Sequence, residues 1–373
     1  MATYTIDQAR DVIHGTLQHI AMRKPAYTYA YSQYAMFNSF WKSNKKVQGG
    51  KYIEGYVNLL DEGNAKMAGF WDEDTHNITN ISKLYTVNWT HATTNTSWNM
   101  IEVDINNGPE QIFNVVDMKR DNMVRELVDV IYQKIWATPS SSSDTLSFQG
   151  IPAWLSLGTQ SSTGGWTGYQ ARYNDGSTPG TAYDVGGINS SATVNPRWAS
   201  YYADHKDNID DSLLVLLDRA TRKLNFTGPQ TPAGNLDLGG AQGVYSPRFS
   251  LYSNDYVIGQ LNALYAKSDD QMGFRIGSHF GVPTFKGVSF EYVDLLDSDN
   301  ASLYGANPIY GINHNMLYPM VLTGWDWTVS KPVTRAAGNQ HLVVSVYCDI
   351  VGQIFAEGGR RHAGFLISDH PSN

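Results

Sequence analysis

The sequence predicts an α+β fold in which a compact body carries projecting parts, and three observations lead to it. Two runs rich in Val, Ile, Thr, Tyr and Trp, residues 51–60 and 83–105, flank a polar, acidic stretch. An apolar period of three and four residues runs from Pro109 to Ala137. A third strand-forming run, HLVVSVYCDI at 341–350, is the clearest of all. The 373 residues suit about two domains, or one large domain with arms, and are enough to bury a sizeable core.

In chain order, residues 4–22 place Ile6, Ala9, Ile13, Leu17 and Ile20 on one stripe of a short helix. Tyr27, Tyr29, Tyr31, Tyr34, Phe37, Phe40 and Trp41 follow without a period of their own, as in an arm that lies on something else. Lys42, Lys45, Lys46 and Lys51 make a basic knot. The two β runs then form a long hairpin whose acidic tip holds Asp61, Glu62, Asp72, Glu73 and Asp74. A two-stranded hairpin is marginal alone in water, so it needs a partner surface.

Pro109 opens the long helix, because a missing N–H costs nothing at the first helical position. Ile112, Val116, Met123, Leu127, Val130, Ile131 and Ile135 line its broad face. Lys119 and Arg120 lie in or beside that stripe, and Arg125 opposite. Thr138-Pro139 ends it. Residues 140–204 are Ser-, Gly- and Thr-rich, a loop long enough to be functional or laid across a partner, with apolar anchors at 148–155 and 195–201. A helix at 208–224 has Asp207 or Asn208 as cap, and a helix at about 254–267 has Ser253. Short strands follow at 274–276, 288–294 and 308–312. After the run at 341–350, a turn at Gly358-Gly359-Arg360-Arg361 leads to Phe365-Leu366-Ile367.

Composition points toward contact surfaces. Charged residues are 17% against about 25% in a typical soluble domain, while aromatics reach 12%, with 23 Tyr and 10 Trp. A large Tyr-rich β core reads from the same numbers. The net charge of −8 does not suit a chain that grips phosphate, although an acidic wall can contain DNA. With Cys348 as sole cysteine no intrachain disulfide forms, which fits a reducing cytoplasm. The start resembles no signal peptide, and no apolar run approaches the ~20 residues of a membrane span. The sequons at Asn77, Asn80, Asn88, Asn95, Asn189, Asn225 and Asn300 then read as chance products of composition.

Catalytic signatures are missing: no phosphate-binding glycine loop, no HExxH, no GxSxG, and one Cys excludes CxxC. The ten His are scattered and read as structural. Asp297-Ser298-Asp299-Asn300 is the best metal candidate. It lacks the Gly and Glu of a calcium loop and reads better as a solvated turn. No catalytic residue, cofactor or metal is expected.

The order of parts, with FQGIPAWL at 148–155, YDVGGIN at 183–189, NPRWASY at 195–201, PIYGIN at 308–313 and GGRRHAGFL at 358–366, resembles the major capsid protein of tailed bacteriophages, a fold shared with herpesviruses. The resemblance covers most of the chain. It implies an N-arm at 1–46, an extended E-loop at 47–107 and a peripheral domain with the spine helix at 108–205. It further implies an axial domain at 206–340 and a strand at 341–373 returning to the peripheral domain. As function it implies hexamers and pentamers that close an icosahedral head around double-stranded DNA, without sequence-specific binding, catalysis or a membrane. A separate scaffold protein and a portal are implied, with assembly in the host cytoplasm and residence in the virion. Tip residues Asp61, Glu62, Asp72, Glu73 and Asp74 are expected to meet Lys119, Arg120 and Arg125 of a neighbour in preference to Lys42, Lys45 and Lys46, the plain alternative being a solvated tip. Two alternatives stay open: a secreted carbohydrate-binding or hydrolytic β-rich protein, in which Tyr and Trp stack on sugars, and another virion or tail component.

Overall fold

The structure, a computed structural model, describes residues 35–73, 76–105, 115–160, 163–178, 184–191, 194–207, 209–224, 249–272, 283–334 and 342–372. They fall in two compact units. The larger takes in Ala35–Thr90, Gln133–Val321 and Gly352–Asn373; the smaller takes in His91–Tyr132 and Leu322–Val351. The helix expected at 4–22, the aromatics Tyr27 to Tyr34, the strand at 274–276 and Ile112 lie outside the described residues.

The larger unit is built on a seven-stranded mixed sheet. Its order is Thr284–Phe285, Val288–Tyr292, Phe249–Ser253, Ala306–Asn313, Gly364–Asp369, Ser200–Asp204, Gly165–Gly168. Two of its pairs are parallel, Val288–Tyr292 with Phe249–Ser253 and Gly364–Asp369 with Ser200–Asp204. Helices Asp211–Leu224 and Asp255–Met272 cover one face. Leu213, Leu217, Ala220, Val257 and Leu261 meet Leu251, Phe290, Ile309, Phe365 and Ile367 there, in one buried cluster. Trp136 packs with Tyr252 and Tyr310, at ring distances of 5.8 and 5.3 Å.

Both expected caps move. Asp207 accepts from the Asn307 amide instead, and Asn208 is not described; Asp210 Oδ1 takes the Ser212 N–H at 2.8 Å. Ser253 donates to the Pro308 carbonyl, and Asn254 Oδ1 accepts the Val257 N–H at 3.1 Å. The residue next to each first turn has the better reach. Asn254→Ala is expected to cost about 0.5–2 kcal/mol, read as a lower denaturant midpoint with an unchanged slope.

The described residues of 140–204 form short elements: a helical turn Ile151–Trp154, strands Gly165–Gly168 and Ser200–Asp204, a small hairpin of Asp184–Val185 with Ile188–Asn189, and a 3-10 turn Pro196–Trp198. Its anchors Trp154 and Trp198 are fully buried in this chain's own body, so the expectation of a segment laid across a partner fails for both. Phe37 and Phe40, on helix Ala35–Trp41, are likewise buried here, with Phe40 5.7 Å from the His314 ring.

The expected β run at 83–105 divides, and its part from His91 on lies in the smaller unit. Thr90–Asn99 is a strand that pairs with Val343–Ala356, whereas Met100–Ile105 is helical. Asn99 explains the switch: its Oδ1 accepts the Ile101 N–H at 3.0 Å, an N-cap that starts a helix. Thr328–Val329 and Val333–Thr334 also pair with the long strand, through Cys348, Asp349, Val344 and Ser345. The long helix is described from Val115 to Ile135. Met123, Leu127, Ile131 and Ile135 are buried as expected, but Val130, on the flank of the stripe, is half exposed.

Candidate assembly surface

The hairpin belongs to the larger unit. Tyr52–Asn58 and Ser82–Asn88 pair antiparallel, from Tyr52 opposite Asn88 to Asn58 opposite Ser82. Alternation gives it two faces. Inward, Ile53, Tyr85 and Val87 are buried. Tyr85 stacks on Phe355 at 5.2 Å, lies 5.1 Å from Trp198 and 6.3 Å from Trp154, and donates to the Ala356 carbonyl at 2.6 Å. Burial, with Glu357 nearby, raises its phenol well above the ordinary range.

The base is clamped on several sides. Lys45 Nζ lies 2.5 Å from Glu357 Oε2 and 4.2 Å from the Tyr318 ring centre, and Tyr318 donates to the same carboxylate at 2.7 Å. Gln353 donates to the Asn88 carbonyl, and the Trp89 indole to that of Gly50. Beneath runs the Gly358–His362 turn, whose two glycines take φ of 72° and 96°, a region costly for other residues. Arg360 in that turn is fully buried. It donates to the Trp154 carbonyl at 2.8 Å and to Ser156 Oγ at 2.5 Å, and burial pulls its guanidinium down to about 9. The segments GGRRHAGFL and FQGIPAWL are thus bound to each other under the hairpin.

Beyond the Leu59 N–H to Ile81 carbonyl bond the chain makes a finger held by its own hydrogen bonds. Asn64 bridges its sides, donating to the Asn77 carbonyl at 2.9 Å and accepting the Asn77 N–H at 2.7 Å. Lys66 donates to the Glu73 carbonyl. At the end Gly69 to Asp72 form a turn, closed by Asp72 N–H to Gly69 O at 3.2 Å and by Gly69 N–H to Asp72 Oδ2 at 2.6 Å. Phe70 and Trp71 occupy its two central positions with their rings wholly exposed, and Met67 and Ile78 are as bare. The outward hairpin face adds Tyr56 and, directly opposite, Leu84, both exposed.

Met67, Phe70, Trp71 and Ile78 were missed in the sequence, where the acidic residues around them dominate; Phe70-Trp71 next to Gly69 was the available signal. Of the expected carboxylates, Asp61 forms a bidentate pair with Arg197, and Glu62 accepts from Asn64 at 3.2 Å. Asp72 clasps the turn, Glu73 is exposed, and Asp74 lies outside the described residues. Of the cations, Lys119 is half-buried, 3.0 Å from Glu102 Oε2; Arg120 is exposed and Arg125 half-buried. Arg197 was not foreseen as a partner of Asp61.

The metal candidate is a structural turn. Asp297 Oδ1 accepts the Asp255 N–H at the start of a helix, and Asp299 Oδ1 the Asn307 N–H. Among the described residues no group of three ligands could hold a metal, and no helix is long and apolar enough to cross a membrane.

No family model and no curated protein matches the chain. Solved structures do. The capsid asymmetric unit of cyanophage A-1(L) matches at a TM-score of 0.57 and 13% identity, over 95% of this chain and 98% of that one. The capsid of Myoviridae phage XM1 matches at 0.52 and 10%, over 98% and 99%. The capsid of a native GTA particle matches at 0.53 and 8%, over 93% of each. The α+β fold is therefore the phage major capsid fold that the sequence resembled.

Proposed function

We propose that this chain is the structural subunit of a phage head, a protein that self-assembles and catalyses nothing. The observation that carries the reading is the finger: a pre-shaped turn with bare Phe70 and Trp71, on a chain with the capsid fold. Bare rings on a fixed support are the anchors of an interface, because their burial is favourable and little freedom is lost on binding. The partner is a second copy. In this reading residues 1–46 are the N-arm, 47–107 the E-loop, 108–205 the peripheral domain, 206–340 the axial domain and 341–373 the returning strand. Hexamers and pentamers close a shell in the host cytoplasm around double-stranded DNA, with a separate scaffold and portal, and no sequence is read.

The tip contact is then apolar at its centre, with Glu62, Asp72, Glu73 and Asp74 at its rim facing Arg120, Arg125 and Lys119 of the neighbour. Asp61 is spent within its own chain. Co-expression with the scaffold, followed by negative-stain microscopy and sedimentation, tests the reading. Capsomers or closed shells are expected, and a chain that stays monomeric at its highest soluble concentration overturns it.

A further inference from the structure

Where the finger leaves the body, one ion pair crosses the gap. Among the described residues of the finger, Asp61 makes the one side-chain hydrogen bond to the rest of the chain, both carboxylate oxygens meeting the Arg197 guanidinium. We infer that Asp61 and Arg197 are a positioning pair: they aim the finger, so that an arriving copy meets the Phe70–Trp71 turn in one orientation. The inference rests on the proposed head-subunit reading for its purpose but not for its geometry.

Three features argue for it. The hairpin ladder stops at Asn58 opposite Ser82, with the Leu59–Ile81 bond just beyond it, while, Asp61 apart, the described residues further out hydrogen-bond only among themselves. A piece that is stiff within itself, joined by two single stretches of chain, can turn at that junction. Asp61 lies immediately past the junction, where one fixed point controls direction best.

The receiving side is rigid. Arg197 sits in the 3-10 turn Pro196–Trp198, whose Trp198 is fully buried against Tyr85 and whose Trp198 N–H is bonded to Asn195 O at 2.9 Å. A second cation stands beside it: Arg361 lies 4.3 Å over the Trp166 ring. Burial first, and Arg197 second, hold the Arg361 guanidinium below its ordinary range. Arg197 is thereby repelled on one side and drawn to Asp61 on the other.

A bidentate guanidinium–carboxylate pair also fixes a direction, which a lysine cannot do. Because the pair is exposed, its share of folding stability is small. Its effect belongs in the orientation of the finger.

The test uses the full chain spin-labelled at Ala68→Cys in the finger and Val215→Cys in the body, both exposed positions. Electron–electron distance distributions are compared for the parent, Asp61→Asn, Arg197→Gln and Asp61→Glu. The parent and Asp61→Glu are expected to give one narrow peak. Asp61→Asn and Arg197→Gln are expected to lose it to a broad distribution at an unchanged thermal midpoint, and to give slower assembly with more aberrant particles. Distributions as narrow as the parent's in both neutralised variants overturn the inference. A parent that assembles into nothing, with broadening still seen, overturns the head-subunit reading and leaves the positioning pair standing.

Discussion

Replacing Phe70 and Trp71 together by alanine is expected to abolish shell formation and leave the subunit folded. Both rings are already bare, so their removal takes nothing from the core of the single chain, and the thermal midpoint should stay where it was. In a contact each ring would bury about 150–250 Å², and anchors of this kind cost about 2–4 kcal/mol when truncated. A loss of about 2 kcal/mol weakens each pairwise contact roughly 30-fold, and the loss recurs at every subunit of a closed shell. Sedimentation and microscopy read the result. Normal yields of normal shells from the double variant would remove the finger from the interface. Glu73→Lys is the matched electrostatic control, since an exposed pair contributes only about 0.2–1 kcal/mol. Asp72→Lys is a poor control, because Asp72 also closes the turn that presents the rings.

Gly150→Ala is expected to be strongly destabilising for a single methyl group. Its backbone is ordinary, with φ of −68°, so the demand is for space. A Cβ there would lie 2.8 Å from the Lys134 carbonyl oxygen and closer still to those of Ile135 and Ala137. Those oxygens belong to the last turn of the long helix and the residues after it, and they cannot swing aside without undoing that end. Overpacking typically costs about 1–3 kcal/mol where side chains can yield; against backbone the cost is expected at the upper limit or beyond. Expression as inclusion bodies, or a collapsed urea midpoint in any soluble fraction, is the predicted outcome. An alanine variant as stable as the parent would mean that the 148–155 segment is not seated on the helix end.

What the sequence made legible were features with a local cause. The strand at 341–350 was visible because alternation and β-branching agree there, and the structure extends it to Val343–Ala356. The long helix was visible from its three-and-four spacing. The split of 83–105 was not, because Thr90–Asn99 and Met100–Ile105 differ by a single Asn cap that propensity does not weigh. Nor could spacing reveal that the anchors around Trp154 and Trp198 turn inward: a Trp in a Gly- and Ser-rich stretch reads alike whether it meets its own body or another. Of the candidate surface, the hairpin and its acidic stretch were legible, the bare rings were not. Charge drew attention to Asp61 and Glu73, while the exposure of Phe70 and Trp71 depends on a turn that only coordinates display. The Asp61–Arg197 pair, 136 positions apart, has no signature in one sequence.

The place of Gly364–Asp369 within the seven-stranded sheet has a consequence for the order of events during synthesis. That strand stands between Ala306–Asn313 and Ser200–Asp204 and bonds to both. Until residue 369 is made, Ala306–Asn313 and Ser200–Asp204 lack the strand that joins them, whereas residues 59–81, which make the finger, come much earlier in the chain. A nascent chain thus exposes its stickiest turn while it still has no finished body to offer a neighbour.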